Sequence, residues 1–376
     1  MDKLKDYFLK YRNKVSFIEL KKDAEINVNG YIVTGGLPLP IPMDDLIDNV
    51  KEAADRMKFN DMVDGMIYTI GIDESFPYAD KYKEILKAFS KEIESVIINT
   101  GNECVQKGEL DKGMIYFRAA YALNKNNLYA IYNYSIALEE KAKRLYDEDN
   151  KDLGTIFLTE AMEKMEEVRD KDEEGIFPNA HYKLGYYYKA YNKNIKAKES
   201  WEKFLETGAV PEVGDEVRNM LEAIENDVIY EEGCELILNG EPRKGLEKLL
   251  PLTEKYEKWW NLDFMTGVAL RQIGDFKNAM SFFRRVLEVN PSQVDTLNEM
   301  GLCKANTGDM HGALEFFSKA LTMNPGNPEI MCNRGMAKLQ VGDAEGAVED
   351  IKKAYETDPE DEVVKQCVAL INKYSE

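Results

Sequence analysis

The sequence predicts an all-α chain of stacked helix hairpins, headed by a small N-terminal cap that contains a β-hairpin. Two observations carry this expectation: a strict 34-residue step through the C-terminal third, and an alternating stretch, INVNGYIV, around Asn29-Gly30. A third sets the scale. The 376 residues include 44% hydrophobic and 31% charged residues, enough to bury a substantial core, and no apolar run is long enough to span a bilayer.

The repeat is read from TGVALRQIGDFKNAMSFFRRVLEVNP, MGLCKANTGDMHGALEFFSKALTMNP and RGMAKLQVGDAEGAVEDIKKAYETDP, which begin at Thr266, Met300 and Arg334. Gly267, Gly301 and Gly335 share the step, as do Gly274, Gly308 and Gly342, then Ala279, Ala313 and Ala347, then Pro291, Pro325 and Pro359. Each unit reads as an apolar helical pattern, a Gly-Asp break, a second helical pattern and a proline stop. Gly267 and Ala279 are small where two antiparallel helices must approach. Gly274 suits the left-handed residue ending the first helix, and Asp275 suits the start of the next turn. One such pair cannot bury its apolar faces alone, so neighbours must stack.

This spacing closely resembles the tetratricopeptide repeat (TPR). The frame continues backwards through Gly233, Gly240 and Gly245, through Gly185, Ala197 and Trp201, and through Gly101, Gly108, Gly113 and Phe117. Seven repeats are expected from about residue 94, preceded by a degenerate helix pair. A lengthened pair is expected after Leu128, and helical sequence between Pro211 and Asp227 is expected to prolong the next first helix. The resemblance implies a TPR-type right-handed α-solenoid. The expected domains are a cap at 1–75 (helix, β-hairpin, proline-rich segment, helix), irregular repeats at 76–211, regular repeats at 212–361 and a capping helix at 362–376.

In the cap, Asn29-Gly30 supplies two positive-φ positions, the strongest short-range hairpin signal in the chain. Val15–Leu20 is expected to add a third strand. Residues 30–42, GYIVTGGLPLPIP, carry no charge. Their alternating prolines exclude helix and predict a polyproline-like path, with Leu37, Leu39 and Ile41 covering the end of the first helix pair. Met43-Asp44-Asp45 is expected to open the next helix. The glycines are not followed by the lysine and Ser/Thr of a phosphate loop.

Several functions are disfavoured by composition. A net charge of −20 repels phosphate backbones and anionic membranes. The five cysteines form no CxxC pair, and the two histidines, His181 and His311, lie in different segments, so neither a zinc site nor a triad is expected. DEDNKD (147–152) lacks the central glycine and closing glutamate of a calcium loop, Met162 standing in the latter's place. No pair of carboxylates stands out as general acid and base. No metal, cofactor or catalytic residue is expected, and the N-terminus lacks the apolar run of a signal peptide. The expected location is cytoplasmic.

The resemblance implies that first helices line a concave groove for an extended peptide or helix of a protein partner. Carried onto this sequence, its inward positions are Asn99, Asn102, Tyr129, Tyr132, Asn133, Tyr182, Lys183 and Tyr186. Downstream they are Asn261, Phe264, Arg271, Asn298, Asn306, Asn333 and Gln340. Asparagine amides suit a peptide backbone, and tyrosines offer rigid apolar area with a polar tip. One subtype of the family grips chaperone C-termini with two lysines, two asparagines and an arginine. Asn102 and Asn133 fill its asparagine places, but Ile98, Asn179 and Lys183 fill the cationic ones, leaving one cation for three. Two other readings stand beside the scaffold. In one, residues 1–75 are a small ligand-binding or catalytic domain whose substrate the repeats recruit. In the other, Val364, Val368 and Ile371 mediate self-association as a homodimer.

Overall fold

The structure, a computed structural model, describes residues 4–21, 23–43, 59–207 and 210–374. The expected helix start at Asp44-Asp45 lies outside them. The chain forms two compact units, Met1–Val217 and Arg218–Glu376, and among the described residues it is helical apart from four short N-terminal strands.

The first unit opens with α1 (Lys5–Leu9), then β1 (Val15–Glu19), β2 (Glu25–Val28), β3 (Tyr31–Thr34) and β4 (Pro38–Pro42). Asn29 and Gly30 adopt φ values of 50° and 96°, and β2 and β3 pair across them as the sequence predicts. The tip of this hairpin closes a helix end: Asn29 Nδ2 donates to the carbonyls of Ala88 and Phe89 at 3.1 and 2.9 Å, satisfying acceptors that a helix C-terminus leaves open.

The expected third strand is a correction. β1 pairs not with the hairpin but with the proline-rich segment, Val15 opposite Pro42 and Glu19 opposite Pro38. There are thus two separate two-stranded ladders, and the proline-rich path is a β-strand rather than polyproline-like. In β4 only Leu39 and Ile41 can donate to the ladder. Pro38, Pro40 and Pro42 leave the opposite edge without donors, which makes it a poor template for further pairing.

The helices of this unit are α2 (Phe59–Ile72), α3 (Ala79–Phe89), α4 (Ile93–Gln106), α5 (Leu110–Leu123), α6 (Leu128–Asp147), α7 (Lys151–Lys171), α8 (Pro178–Ala190) and α9 (Asn194–Glu206). Leu39 and Ile41 are buried, and β4 packs on α2. The approach is close: a Cβ on Gly65 would stand 2.0 Å from the Pro40 carbonyl oxygen.

The pair α6/α7 has 20 and 21 residues, against 14 each for α4 and α5, and α1 uses the surplus. Tyr7 and Tyr11 donate to Asp111 at 2.6 and 2.7 Å, and Lys141 of the lengthened α6 reaches the same carboxylate at 3.3 Å. The Tyr7 ring stands edge-on to Phe157 of α7 at 4.8 Å, while Leu4 and Phe8 are fully buried. Burial works against ionisation of Asp111, but the two phenols and the Lys141 charge outweigh it and hold its pKa below the usual carboxylate value.

The second unit is built from α10 (Pro211–Leu238), which begins in the first unit, α11 (Pro242–Lys255), α12 (Trp260–Gln272), α13 (Phe276–Val289), α14 (Val294–Asn306), α15 (Met310–Met323), α16 (Pro328–Gln340), α17 (Ala344–Thr357) and α18 (Glu362–Tyr374). The repeated Gly-Asp pair acts as expected. Gly274, Gly308 and Gly342 have φ of 85°, 83° and 88°, and the following aspartates accept from backbone N–H groups of Asn278, Gly312 and Gly346 at helix starts. Ala279, Ala313 and Ala347 are fully buried. At each crossing a large side chain fills the place where a glycine has none: a Cβ on Gly267 or Gly301 would lie 2.5 or 2.4 Å from the rings of Phe283 or Phe317. Val364, Cys367 and Ile371 of α18 join the core of the last pair, with Val368 packed against it.

Between α16 and α17, Asp350 is buried with Arg334 at 2.6 Å and Lys338 at 2.9 Å. Burial opposes its charge, yet these two cations lower its pKa from the ordinary value. A depressed carboxyl pKa adds stability that is full above the unfolded value of about 3.9 and is lost as pH falls through the folded one. Asp350→Asn is therefore expected to cost about 2–4 kcal/mol at pH 7 in urea unfolding and to flatten the acid limb of a circular-dichroism titration from pH 7 to 2. Gly65→Val is expected to cost about 2 kcal/mol and to speed proteolysis near Pro38; wild-type resistance in that variant would show that β4 does not press on α2.

Candidate functional site

The candidate residues occupy first helices at spacings of three and four, one stripe per helix. In the first unit Asn99 is exposed and Asn102 half-buried on α4. Tyr129 and Tyr132 of α6 lie on Phe177, with ring centroids 4.9 and 5.3 Å away. Asn133 Nδ2 is turned to the Tyr129 carbonyl of its own helix, at 2.9 Å. On α8, Tyr182 and Tyr186 stand edge-to-face at 5.1 Å, and both hydroxyls donate to Glu216. Burial, then that carboxylate, pushes the Tyr186 hydroxyl far above its ordinary pKa. Lys183 donates to Glu139 at 2.9 Å, and Glu139 also receives Tyr187 at 2.8 Å and Lys143 at 2.7 Å. Glu139 is 9% exposed, and these donors keep its pKa low against the burial that would raise it. The single cation aligned with a carboxylate clamp is thus already paired.

In the second unit Asn261 is exposed, and Phe264 packs on Phe283 at 6.1 Å. Arg271 pairs with Glu299, whose pKa burial nevertheless raises. Asn306 is turned to the Leu302 carbonyl at 2.8 Å. Asn298 and Asn333 are brought together across α14 and α16: Asn333 Nδ2 donates to Asn298 Oδ1 at 3.0 Å, and Asn298 Nδ2 donates to Glu329 at 3.3 Å. Beside this amide ladder lies a cavity of about 180 Å³, lined by Asn333 and Gln340 with Leu302, Met310, Phe317 and Met336.

Sequence reasoning missed those four apolar lining residues. Met336 was within reach of it, because it falls three residues after Asn333 and four before Gln340 on the same helix face. Phe177 and the carboxylates Glu139, Glu216, Glu299 and Glu329 carry no periodic signal and were also missed. A further cavity, of about 250 Å³ in the first unit, includes Glu74, Lys125 and Lys164. Both of its lysines are paired, Lys125 with Glu74 at 2.6 Å and Lys164 with Glu167 at 2.9 Å.

DEDNKD forms the turn between α6 and α7, with Asp149 at φ 59°. Among the described residues there is no cluster of side chains suited to a metal ion, and no helix is long and apolar enough to cross a membrane.

No curated protein matches the chain in sequence. Among solved structures, a tetratricopeptide repeat protein from Parabacteroides merdae aligns over 74% of this chain and 98% of its own, with 16% identity and a TM-score of 0.40. YrrB, a TPR protein with an unusual peptide-binding site, aligns over 67% and 97%, with 18% identity and a TM-score of 0.28. A thermophilic TPR protein of Thermus thermophilus aligns over 52% and 98%, with 18% identity and a TM-score of 0.37. The Tetratricopeptide repeat family profile matches residues 264–293, 294–327 and 328–361. The second and third matches begin with α14 and α16 and the first begins within α12, and they take in the glycine, aspartate and alanine places described above: residues 264–361 form three tetratricopeptide repeats.

Proposed function

We propose that the second unit holds an extended segment of a protein partner by seating one of its apolar side chains in the Leu302–Met336 cavity beside the Asn298–Asn333 ladder. Tetratricopeptide repeats serve generally as protein-interaction scaffolds, and the family is typically non-catalytic. The observation that carries the finer reading is the adjacency of paired amides on α14 and α16 to an apolar cavity that those helices line together with α15. Amides donate and accept, so they fix the register of a backbone, and the cavity then selects a side chain. Burying a leucine or methionine there is worth about 1.5–3 kcal/mol. Met310 and Met336 give the walls some tolerance of shape.

Two features narrow the ligand. Lys183 and Arg271 are paired with Glu139 and Glu299, which favours an internal segment over a C-terminal carboxylate. The net charge of −20 favours a segment flanked by lysine or arginine, mainly through its association rate. The tyrosine stripe of the first unit suits the role less well, because its polar groups already serve Glu216, Glu139 and its own helix.

The test is selection of binders from a random displayed-peptide library with the full chain, followed by calorimetric titration. Met336→Trp, which fills the cavity, and Asn333→Ala are each expected to weaken binding about tenfold or more with unchanged circular dichroism. Tyr129→Ala is expected to change it by less than about threefold. Selected peptides indifferent to both second-unit variants would overturn the assignment.

A further inference from the structure

Cys332 lies on α16 and Cys367 on α18, two helices that pack directly on each other. Both belong to one buried cluster with Ile330, Ile351, Val364 and Ile371, and the two side chains are near enough for each to shift the other's ionisation. All five cysteines are free thiols in the structure. Cys234 is engaged differently, with Tyr230. We propose that Cys332 and Cys367 are a disulfide-forming pair that fastens the terminal helix to the last repeat when the protein meets a peroxide.

The two thiols have unequal parts in the reaction. Cys332 is fully buried, whereas Cys367 keeps 7% of its surface. It sits on the last described helix, whose outer residues Val363 and Leu370 are each 40% exposed. Lifting that one helix exposes Cys367 without unfolding the repeats. Cys367 therefore attacks first.

Its thiolate attacks one oxygen of hydrogen peroxide, the O–O bond breaks, and Cys367 becomes a sulfenic acid with hydroxide released. The Cys332 sulfur then displaces the hydroxyl from the Cys367 sulfur. An S–S bond forms as the S–O bond breaks, and the Cys332 proton leaves with that hydroxyl as water. Two thiols are oxidised and one peroxide is reduced to two waters. The α18 helix covers the exposed end of the repeat core, so the bond fixes the element that end fraying would lose first.

The experiment treats the native full chain with hydrogen peroxide, then denatures it, alkylates it with iodoacetamide and measures its intact mass. The reduced protein carries a label on each of its five cysteines. The oxidised protein is expected to carry two fewer, with a tryptic species joining the Cys332 and Cys367 peptides. Its melting midpoint is expected to rise by about 3 °C or more and to return with dithiothreitol. Cys367→Ser abolishes the loss of label and Cys104→Ser preserves it. Full labelling after oxidation, oxygen addition without a cross-link, or a bond to any other cysteine or between chains would overturn the proposal.

Discussion

Five of the helix pairs depend on one packing constraint: a bulky side chain of the second helix occupies space that a glycine of the first helix leaves empty. Phe117 meets Gly101, Trp201 meets Gly185, Leu249 meets Gly233, Phe283 meets Gly267 and Phe317 meets Gly301. At each of these a Cβ would come within 2.1–2.6 Å of the partner side chain, closer than non-bonded carbons can approach. The contact sets how near two helices lie. That nearness in turn decides which residues of the first helix are left to face outward. The amide ladder then joins the outward residues Asn298 and Asn333 on the first helices of neighbouring pairs.

What could be read in advance follows from distance along the chain. Gly-Asp turns, N-caps and the Asn29-Gly30 hairpin are decided within a few residues, and all are where the pattern places them. The long α6/α7 pair and the 28-residue α10 were equally legible, because extra helical sequence has nowhere else to go. The partner of β1 was not. Pairing Val15–Glu19 with Pro38–Pro42 skips the intervening hairpin, and prolines read locally as a coil. Asp111 as the anchor for Tyr7 and Tyr11 spans a separation of 100 residues or more, beyond the reach of any periodicity.

The candidate site divides in the same way. Its amides and aromatics were visible as stripes of three and four. Their engagement was not, since acidic residues are too frequent in this chain for any single one to stand out as a partner. Glu139 and Glu216 turn the polar groups of the first unit inward on the protein itself. In the second unit, Glu329 and Asn298 take up only part of the amides' capacity, and the apolar space beside them is open.

The docking of α1 also orders events during synthesis. The Tyr7 phenol of α1 and the Tyr11 phenol just after it require Asp111, and the Tyr7 ring requires Phe157. Residues 4–11 therefore leave the ribosome well before their seat at Asp111 and Phe157 exists. They can settle only once the chain as far as Phe157 has emerged, so α1 is among the last elements of its unit to lock. Through that interval Leu4 and Phe8, fully covered in the finished molecule, stay wetted and within reach of chaperones.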